Sequence, residues 1–190
     1  MTDLKAELMV GLHDSRAVML AKLDGLSEYD RRRPLTPTGT NLLGLVKHLA
    51  GLEYGYLGES FGRPAPERPS WFRDDPWSEI DMWATPDESS DYIISVYQRA
   101  CGHADATVEE LDLDSAGRVA HWAEGKQETT LGVLLIRMVR ETAQHAGHAD
   151  IVREMIDCQA GKAQNPVEGD PAFWREWTAK VQAAADQFRE

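Results

Sequence analysis

Apolar residues recur every three to four positions over four long segments of the chain, and no segment shows the strict alternation that indicates a β-strand. The spacing predicts helices over about residues 2–26, 40–60, 85–111 and 130–158. Four amphipathic helices joined by two long connections are typical of an all-α four-helix bundle with long crossover loops. A further amphipathic segment at 170–188 predicts an extra C-terminal helix packed outside the bundle.

Particular polar residues mark where these helices begin. Thr40 or Asn41 can cap the second helix with a side-chain oxygen. The segment Thr85-Pro-Asp-Glu88 has the form of a capping box with proline at the first helical position, so we expect the third helix to begin there. The pair Asp170-Pro171 predicts the start of the last helix in the same way.

The length of 190 residues suits a single domain. We assign the bundle to about 1–160, a polar linker to 161–169 and the extra helix to 170–188. The connection at 61–83 holds four prolines and three tryptophans, which favour an ordered, packed loop that contributes selectivity to a nearby site. The second long connection contains a short extended piece at 118–122.

The second predicted helix contains four glycines, although glycine is unfavourable inside a helix. We infer that close packing against a neighbouring segment is the reason for keeping them. The same small-residue apolar face suits the pairing of two chains as a homodimer. These glycines are Gly44, Gly51, Gly55 and Gly58.

Glu141 and His145 interrupt the apolar stripe of the fourth predicted helix. Residues three, four and seven apart share one face of a helix. This face carries Leu134, Met138, Glu141, His145, His148, Val152 and Met155. A carboxylate among apolar neighbours is costly unless it has a partner. A divalent metal ion would satisfy Glu141 and His145 together, since a spacing of four points both side chains the same way.

His48 lies on the apolar face of the second predicted helix. Alone, such a histidine is more often a core residue bonded to a carbonyl than a metal ligand. Metal sites inside bundles are built from inward side chains of facing helices, and His48, Glu141 and His145 would supply two nitrogens and one carboxylate. This set suits a catalytic zinc with a position left for water or substrate, and it also suits non-haem iron.

His148 lies three residues beyond His145, on nearly the same face of the fourth helix. It can replace Glu141 as the third ligand, act as a proton shuttle, or line the pocket, and a place beside the ligands is slightly favoured over ligation. From the residues alone, His48, Glu141 and His145 are the candidate metal ligands, and His148 is a candidate catalytic proton shuttle.

The remaining candidates for chemistry are weak. Cys101 and Cys158 are too few for a disulfide framework and form no Cys-x-x-Cys pair. His103, on the third helix, and His121, beside Trp122 in a loop, can line a pocket. Packing or surface roles are favoured for both histidines.

The charge of the chain excludes two classes of partner. The formal net charge is −12. Nucleic acid and anionic lipid both select basic surfaces, so we expect neither nucleic acid nor a membrane as a partner. The first residues lack the pattern of a signal peptide, and no apolar run approaches the roughly 20 residues of a membrane span. We therefore expect a cytoplasmic protein.

Two motifs carry a family resemblance. They are Asn41-Leu-Leu-Gly-Leu-Val-Lys-His48-Leu-Ala and Glu141-Thr-Ala-Gln-His145-Ala-Gly-His148-Ala-Asp. With them, about residues 1–160 resemble the DinB/YfiT-like superfamily of metalloenzymes, and within it an actinobacterial branch of unknown function. The resemblance implies a four-helix bundle with one histidine ligand on the second helix and two ligands a turn apart on the last. Those roles fall on His48, Glu141 and His145.

Glutamate at the position of Glu141 is similar to the mycothiol-dependent maleylpyruvate isomerase arm of that superfamily. The chain departs from that isomerase in carrying only a short helix after Gly169. The superfamily includes enzymes that use low-molecular-weight thiols, with zinc binding the thiolate. The resemblance therefore implies a divalent metal, zinc first with nickel or iron as alternatives, and mycothiol or a similar thiol as co-substrate.

Three functions fit these residues. The first is a mononuclear metalloenzyme that transfers a thiol of the mycothiol type to an electrophilic small molecule. The second is a metal-dependent hydrolase, in which the open position of the metal carries water. The third is a non-enzymatic, stress-related bundle for binding or dimerisation, in which Glu141 pairs with His145 or with an arginine such as Arg137. Turnover that needs a thiol separates the first function from the second, and a filled, metal-free core favours the third.

Overall fold

The computed structural model describes residues 3–69, 71–72, 80–160, 165–166 and 170–189. Over these residues the chain forms six α-helices, which are α1 (Leu4–Ala21), α2 (Glu28–Arg32), α3 (Leu42–Leu57), α4 (Ser90–Glu110), α5 (Leu131–Asp157) and α6 (Pro171–Asp186). Two short antiparallel strand pairs accompany them, β1 (Ala116–Arg118) with β2 (Glu128–Thr130) and β3 (Gln159–Ala160) with β4 (Asn165–Pro166).

The four long helices α1, α3, α4 and α5 form the bundle. Helix α3 packs against both α4 and α5, and α1 packs against α5. Their facing sides bury apolar side chains in two clusters, one around Val46 and Ile93 and the other around Leu57 and Leu134. Burial of this apolar surface is the dominant favourable term in folding. The architecture confirms the predicted all-α bundle.

Three helix starts and ends agree with the sequence pattern. Asn41 caps α3, because its side-chain oxygen accepts a hydrogen bond from the backbone N–H of Gly44 at 2.8 Å. Helix α5 covers the range predicted for the fourth bundle helix. Asp170 caps α6, and its side chain accepts a hydrogen bond from the backbone N–H of Ala172 at 2.8 Å.

Helix α4 begins later than the capping-box pattern predicts. Ser89 is its N-cap and accepts a hydrogen bond from the backbone N–H of Tyr92 at 3.1 Å. The expected pair still forms, since the N–H of Thr85 donates to the Glu88 carboxylate at 2.8 Å. However, the buried Lys47 of α3 donates to the same carboxylate at 2.7 Å. The segment from Thr85 to Glu88 is therefore a turn that docks on α3, and the helix starts after it.

The connections depart from the expected pattern in two places. The short helix α2 lies in the first connection, where the sequence pattern predicted no helix. The extended piece expected at 118–122 is the end of β1, which stops at Arg118.

Part of the loop at 61–83 packs on the bundle. Trp71 is buried, and the ammonium of Lys47 lies 4.7 Å from the centre of its ring. This contact agrees with the expectation of an ordered loop. Trp77 and the two aspartates before it lie outside the described residues.

Helix α6 is exposed along its length. Its apolar residues form one stripe, in which Phe173, Trp177 and Val181 are each more than half exposed. In the described part of the chain this stripe does not bury itself on the bundle, contrary to the expectation of a packed outer helix. No helix among the described residues combines the length and the apolar character that crossing a membrane requires.

Candidate active site

Helices α3 and α5 bring the predicted histidines together. The rings of His48 on α3 and His145 on α5 meet edge to face, with 5.1 Å between their centres. The ring of His148, one turn further along α5, lies 5.6 Å from that of His145. These three side chains are called the histidine cluster below. The packing of α3 on α5 thus confirms that His48 faces the stripe on the last bundle helix.

His48 is held by a carboxylate from a distant part of the chain. Its Nδ1 lies 2.7 Å from a carboxylate oxygen of Asp81. Burial raises the pKa of Asp81, whereas the hydrogen bond with His48 and the charge of His48 lower it. The lowering effects are larger, so the pKa of Asp81 lies below its ordinary value. An ionised carboxylate only accepts hydrogen bonds, so Nδ1 of His48 donates the hydrogen of this bond and the orientation of the ring is fixed.

The turn that carries Asp81 docks directly on helix α3. It is a short 3₁₀ turn at Ile80–Met82. The side chain of Asn41 donates a hydrogen bond to the carbonyl of Met82 at 3.1 Å. A Cβ atom on Gly44 would lie only 1.9 Å from that same carbonyl oxygen. Gly44 is therefore a glycine so that this turn can reach α3.

His145 provides a neutral imidazole inside the cluster. Its Nδ1 is buried and has no hydrogen-bond partner among the described residues. Burial, followed by the charges of His48 and His148, lowers the pKa of His145 to about 4, although the Glu141 carboxylate acts in the opposite direction. At neutral pH the ring therefore holds an unprotonated nitrogen, which is the form that binds a metal ion.

Glu141 lies beside arginines on α5. Its carboxylate accepts a hydrogen bond from Arg140 at 3.0 Å and lies 3.9 Å from a guanidinium nitrogen of Arg137. Among the described residues no group of three or more His, Cys, Asp or Glu side chains forms a ready metal cage. The structure thus brings His48, His145 and His148 together and leaves Glu141 with an arginine partner. Metal binding by His48, Glu141 and His145 stays a prediction.

The unpartnered Nδ1 of His145 and the oriented ring of His48 nevertheless fit a divalent ion. Two imidazoles from facing helices are the usual start of a metal site in a bundle. The carboxylate that holds His48 is the support that metal-bound histidines commonly have. The third ligand can come from Glu141 or from His148, which both lie one turn or less from His145 on α5.

An aromatic clamp lies two helical turns from the histidine cluster. Its members are Tyr56 of α3 and Trp122 of the loop between β1 and β2, with the guanidinium of Arg137 5.0 Å and 5.3 Å from the centres of their rings. The ring of His121 lies 5.9 Å from that of Tyr56. Burial, and then the charge of Arg137, lowers the pKa of His121. His121 and Trp122 therefore pack where Tyr56 of α3 and Arg137 of α5 meet. The hydrogen bond between His103 and the carbonyl of Arg63 places His103 elsewhere.

Reasoning from the sequence missed the contacts of two residues, Asp81 and Arg137. Asp81 comes from a loop more than thirty residues beyond His48, and no local pattern signals their contact. Arg137 was considered only as a partner for Glu141, because its aromatic neighbours come from other segments. Glycine at position 44 was the one available signal that a neighbouring segment approaches α3 closely.

A family model described as mycothiol-S-transferase matches residues 7–158. The match covers the bundle except for the first turn of α1, and it includes the histidine cluster. This match confirms the resemblance carried by the motifs around His48 and His145. A search of curated proteins gave no match to the chain.

Proposed function

This chain belongs to the mycothiol-S-transferase family, and from that premise we propose that it joins a low-molecular-weight thiol to an electrophilic small molecule at the histidine cluster. The observation that carries the proposal is the meeting of His48 and His145 across α3 and α5, at 5.1 Å between ring centres. Asp81 fixes the orientation of the His48 ring, and burial keeps the His145 ring neutral.

The reaction exchanges an S–H bond for an S–C bond. The thiol loses its proton, the sulfur lone pair forms a bond to the electrophilic carbon, and the leaving group departs with the electrons of its own bond. A free thiol is largely protonated at neutral pH, so an enzyme for this reaction has to stabilise the thiolate.

We propose that His48, His145 and Glu141 hold a divalent ion, zinc first and nickel or iron as alternatives. Such an ion lowers the pKa of a bound thiol and holds the thiolate near the electrophile. The neutral ring of His145 supports this proposal because no proton has to be displaced from it at neutral pH. Glu141 would have to turn from Arg140 toward the rings, and His148 is the competing third ligand.

We further propose that His148 accepts the thiol proton. The side chain is exposed, and its ring touches that of His145. A proton taken from the thiol can pass from His148 to solvent without crossing the core. Histidine suits this role because its ordinary pKa lies near neutrality.

The first experiment measures metal content. Wild-type protein and the variants His48→Gln, His145→Gln, Glu141→Gln and His148→Gln are loaded with Zn²⁺, dialysed and analysed by mass spectrometry. His103→Gln is the matched control, because that histidine bonds to the carbonyl of Arg63 outside the cluster. We expect wild type and control to retain the ion and the His48 and His145 variants to lose most of it. Equal retention in all variants would contradict the proposed metal site.

The same variants identify the third ligand and the proton carrier. Loss of zinc in Glu141→Gln but not in His148→Gln assigns ligation to the glutamate, and the reverse result assigns it to His148. Transfer is then measured with mycothiol and 1-chloro-2,4-dinitrobenzene. The readouts are the consumption of the thiol and the release of chloride. Turnover of an ester or amide without any thiol would favour the hydrolase instead.

A further inference from the structure

We propose that Arg137 anchors a carboxylate of the electrophilic substrate, while Tyr56 and Trp122 form the apolar wall beside it. This inference rests on the proposed transfer reaction, and it names the class of electrophile as a small molecule that carries an anionic group. Four observations on Arg137 and its neighbours on α3 and α5 support it.

The first observation is the position of Arg137 relative to the histidine cluster. On α5 it lies eight residues before His145, and on α3 its neighbour Tyr56 lies eight residues after His48. The two helices therefore run in opposite directions, and the Arg137–Tyr56 contact joins the same pair of helices as the His48–His145 contact. Eight residues of helix correspond to about 12 Å along the axis. The Arg137 side chain covers part of this distance, because one of its guanidinium nitrogens lies 3.9 Å from the carboxylate of Glu141, one turn before His145. A small aromatic carboxylate can therefore place its reactive carbon at the cluster and its anionic group at Arg137.

The second observation is that the guanidinium is held in place. Tyr56 and Trp122 both lie within about 5 Å of it. Cation–π contacts of this kind fix the plane and position of an arginine. A guanidinium fixed before binding loses little conformational freedom when it accepts a planar carboxylate, which it can bind through two parallel hydrogen bonds.

The third observation is that Arg137 has no carboxylate within hydrogen-bond distance among the described residues. Its nearest ion-pair partner is Glu141 at 3.9 Å, which is too long for a hydrogen bond, and Arg140 binds the same carboxylate more closely at 3.0 Å. The Nε of Arg137 is buried without a hydrogen-bond partner among the described residues. Two arginines thus share one carboxylate in a chain whose formal net charge is −12.

The fourth observation is that the guanidinium can be reached. The side chain of Arg137 keeps 35% of its surface exposed, although its Nε is buried. The terminal nitrogens are therefore the groups that a ligand would meet. Mycothiol is a thiol built on a sugar and a polyol, with no carboxylate, so the anionic group is assigned to the electrophile.

The test compares two electrophiles that release chloride in the same reaction. 1-Chloro-2,4-dinitrobenzene is neutral, and 4-chloro-3,5-dinitrobenzoate carries a carboxylate. The turnover of each electrophile with mycothiol is measured for wild type, Arg137→Gln and Arg137→Lys. Arg99→Gln is the control, because Arg99 is an exposed arginine on α4, a helix that carries neither Arg137 nor the histidine cluster. Dividing the kcat/KM change for one electrophile by that for the other removes their different intrinsic reactivity.

We expect Arg137→Gln to lower kcat/KM for the benzoate about 10- to 100-fold, mainly through KM, and to change the neutral electrophile less than about threefold. Arg137→Lys should recover part of the loss, because it restores the charge but not the two-pronged geometry. Arg99→Gln should leave both values as in wild type. An equal effect of Arg137→Gln on both electrophiles would overturn the inference and leave the transfer reaction standing.

Two further arms separate the remaining outcomes. In the first arm glutathione replaces mycothiol, so that the thiol itself carries carboxylates. If Arg137→Gln lowers kcat/KM only with glutathione, Arg137 binds the carboxylate of the thiol and the inference is overturned. Titration calorimetry with unreactive 3,5-dinitrobenzoate measures anchoring without turnover. If no thiol is consumed by wild type, the proposed function fails, and this titration still decides whether Arg137 binds the carboxylate. Circular dichroism of each variant confirms that it is folded.

Discussion

At the scale of single residues, His145 is the group on which the site depends most. Its ring is packed between His48 and His148, and its Nδ1 is buried without a partner among the described residues. A buried polar atom without a hydrogen bond is costly and calls for an explanation, such as a bound ion or a catalytic role. Burial, followed by the charges of His48 and His148, keeps the His145 ring neutral at neutral pH, which is the form that the proposed metal site requires.

The lowered pKa of His145 gives a prediction for the metal-free protein. In an NMR titration, its ring signals should change with a midpoint at pH of about 4, instead of the ordinary 6.5. His48→Gln should raise this midpoint, because it removes a neighbouring positive charge, and Glu141→Gln should lower it, because the carboxylate favours the charged ring.

The same shift affects stability. Because the folded pKa of His145 lies below the unfolded value, the unfolded chain binds the proton more readily. The contribution of His145 to the free energy of unfolding is therefore complete above pH 6.5 and is lost as the pH falls toward 4. An unchanged midpoint in both the His48 and Glu141 variants would show that these side chains are not neighbours of His145.

At the scale of elements, the docking of the Asp81 turn on α3 decides how His48 is held. Two contacts define it, the hydrogen bond from Asn41 to the Met82 carbonyl and the absence of a side chain on Gly44. The four glycines of this helix are not equivalent. Gly44 and Gly58 meet backbone atoms of other segments at short range, whereas a Cβ on Gly55 would have no neighbour within 4 Å.

This difference between glycines can be tested with one pair of variants. Gly44→Ala should lower the free energy of unfolding by about 1–3 kcal/mol, because its methyl group would overlap the Met82 carbonyl and push the Asp81 turn away. Gly55→Ala, on the same helix, should raise it by up to about 1 kcal/mol through better helix propensity. Urea unfolding measures both values. Equal effects of the two alanines would mean that the turn does not dock at Gly44.

At the scale of the whole molecule, the bundle and α6 contribute differently to the buried apolar surface. The bundle buries the apolar clusters, whereas α6 exposes its apolar stripe and has no fully buried side chain. The family model also ends at residue 158, before α6. We therefore expect the catalytic unit to consist of the bundle and its connections.

Removal of α6 tests this division. A chain that ends at residue 169 should melt within about 2 °C of the full chain, because α6 contributes little buried surface. A chain that ends at residue 150 is the control, and it should melt far lower because it loses the buried Val152 and Arg153 of α5. Loss of cooperative melting on removing α6 alone would show that this helix stabilises the bundle.

The sequence by itself determined the all-α class, the helices and the face of α5 that carries Glu141, His145 and His148. These features depend on periodicity within one segment, which is a local property of the chain. The short helix α2 was not predicted. The local pattern placed the start of α4 too early, because Glu88 of the predicted capping box is bound by Lys47 of another helix.

Only the tertiary structure decided how these residues act together. It set His48 against His145, brought Asp81 to His48 and placed Arg137 over the rings of Tyr56 and Trp122. Each of these contacts joins residues whose side-chain directions depend on how helices and loops pack. Packing sets those directions through distances across the fold, and no periodicity along the chain encodes them.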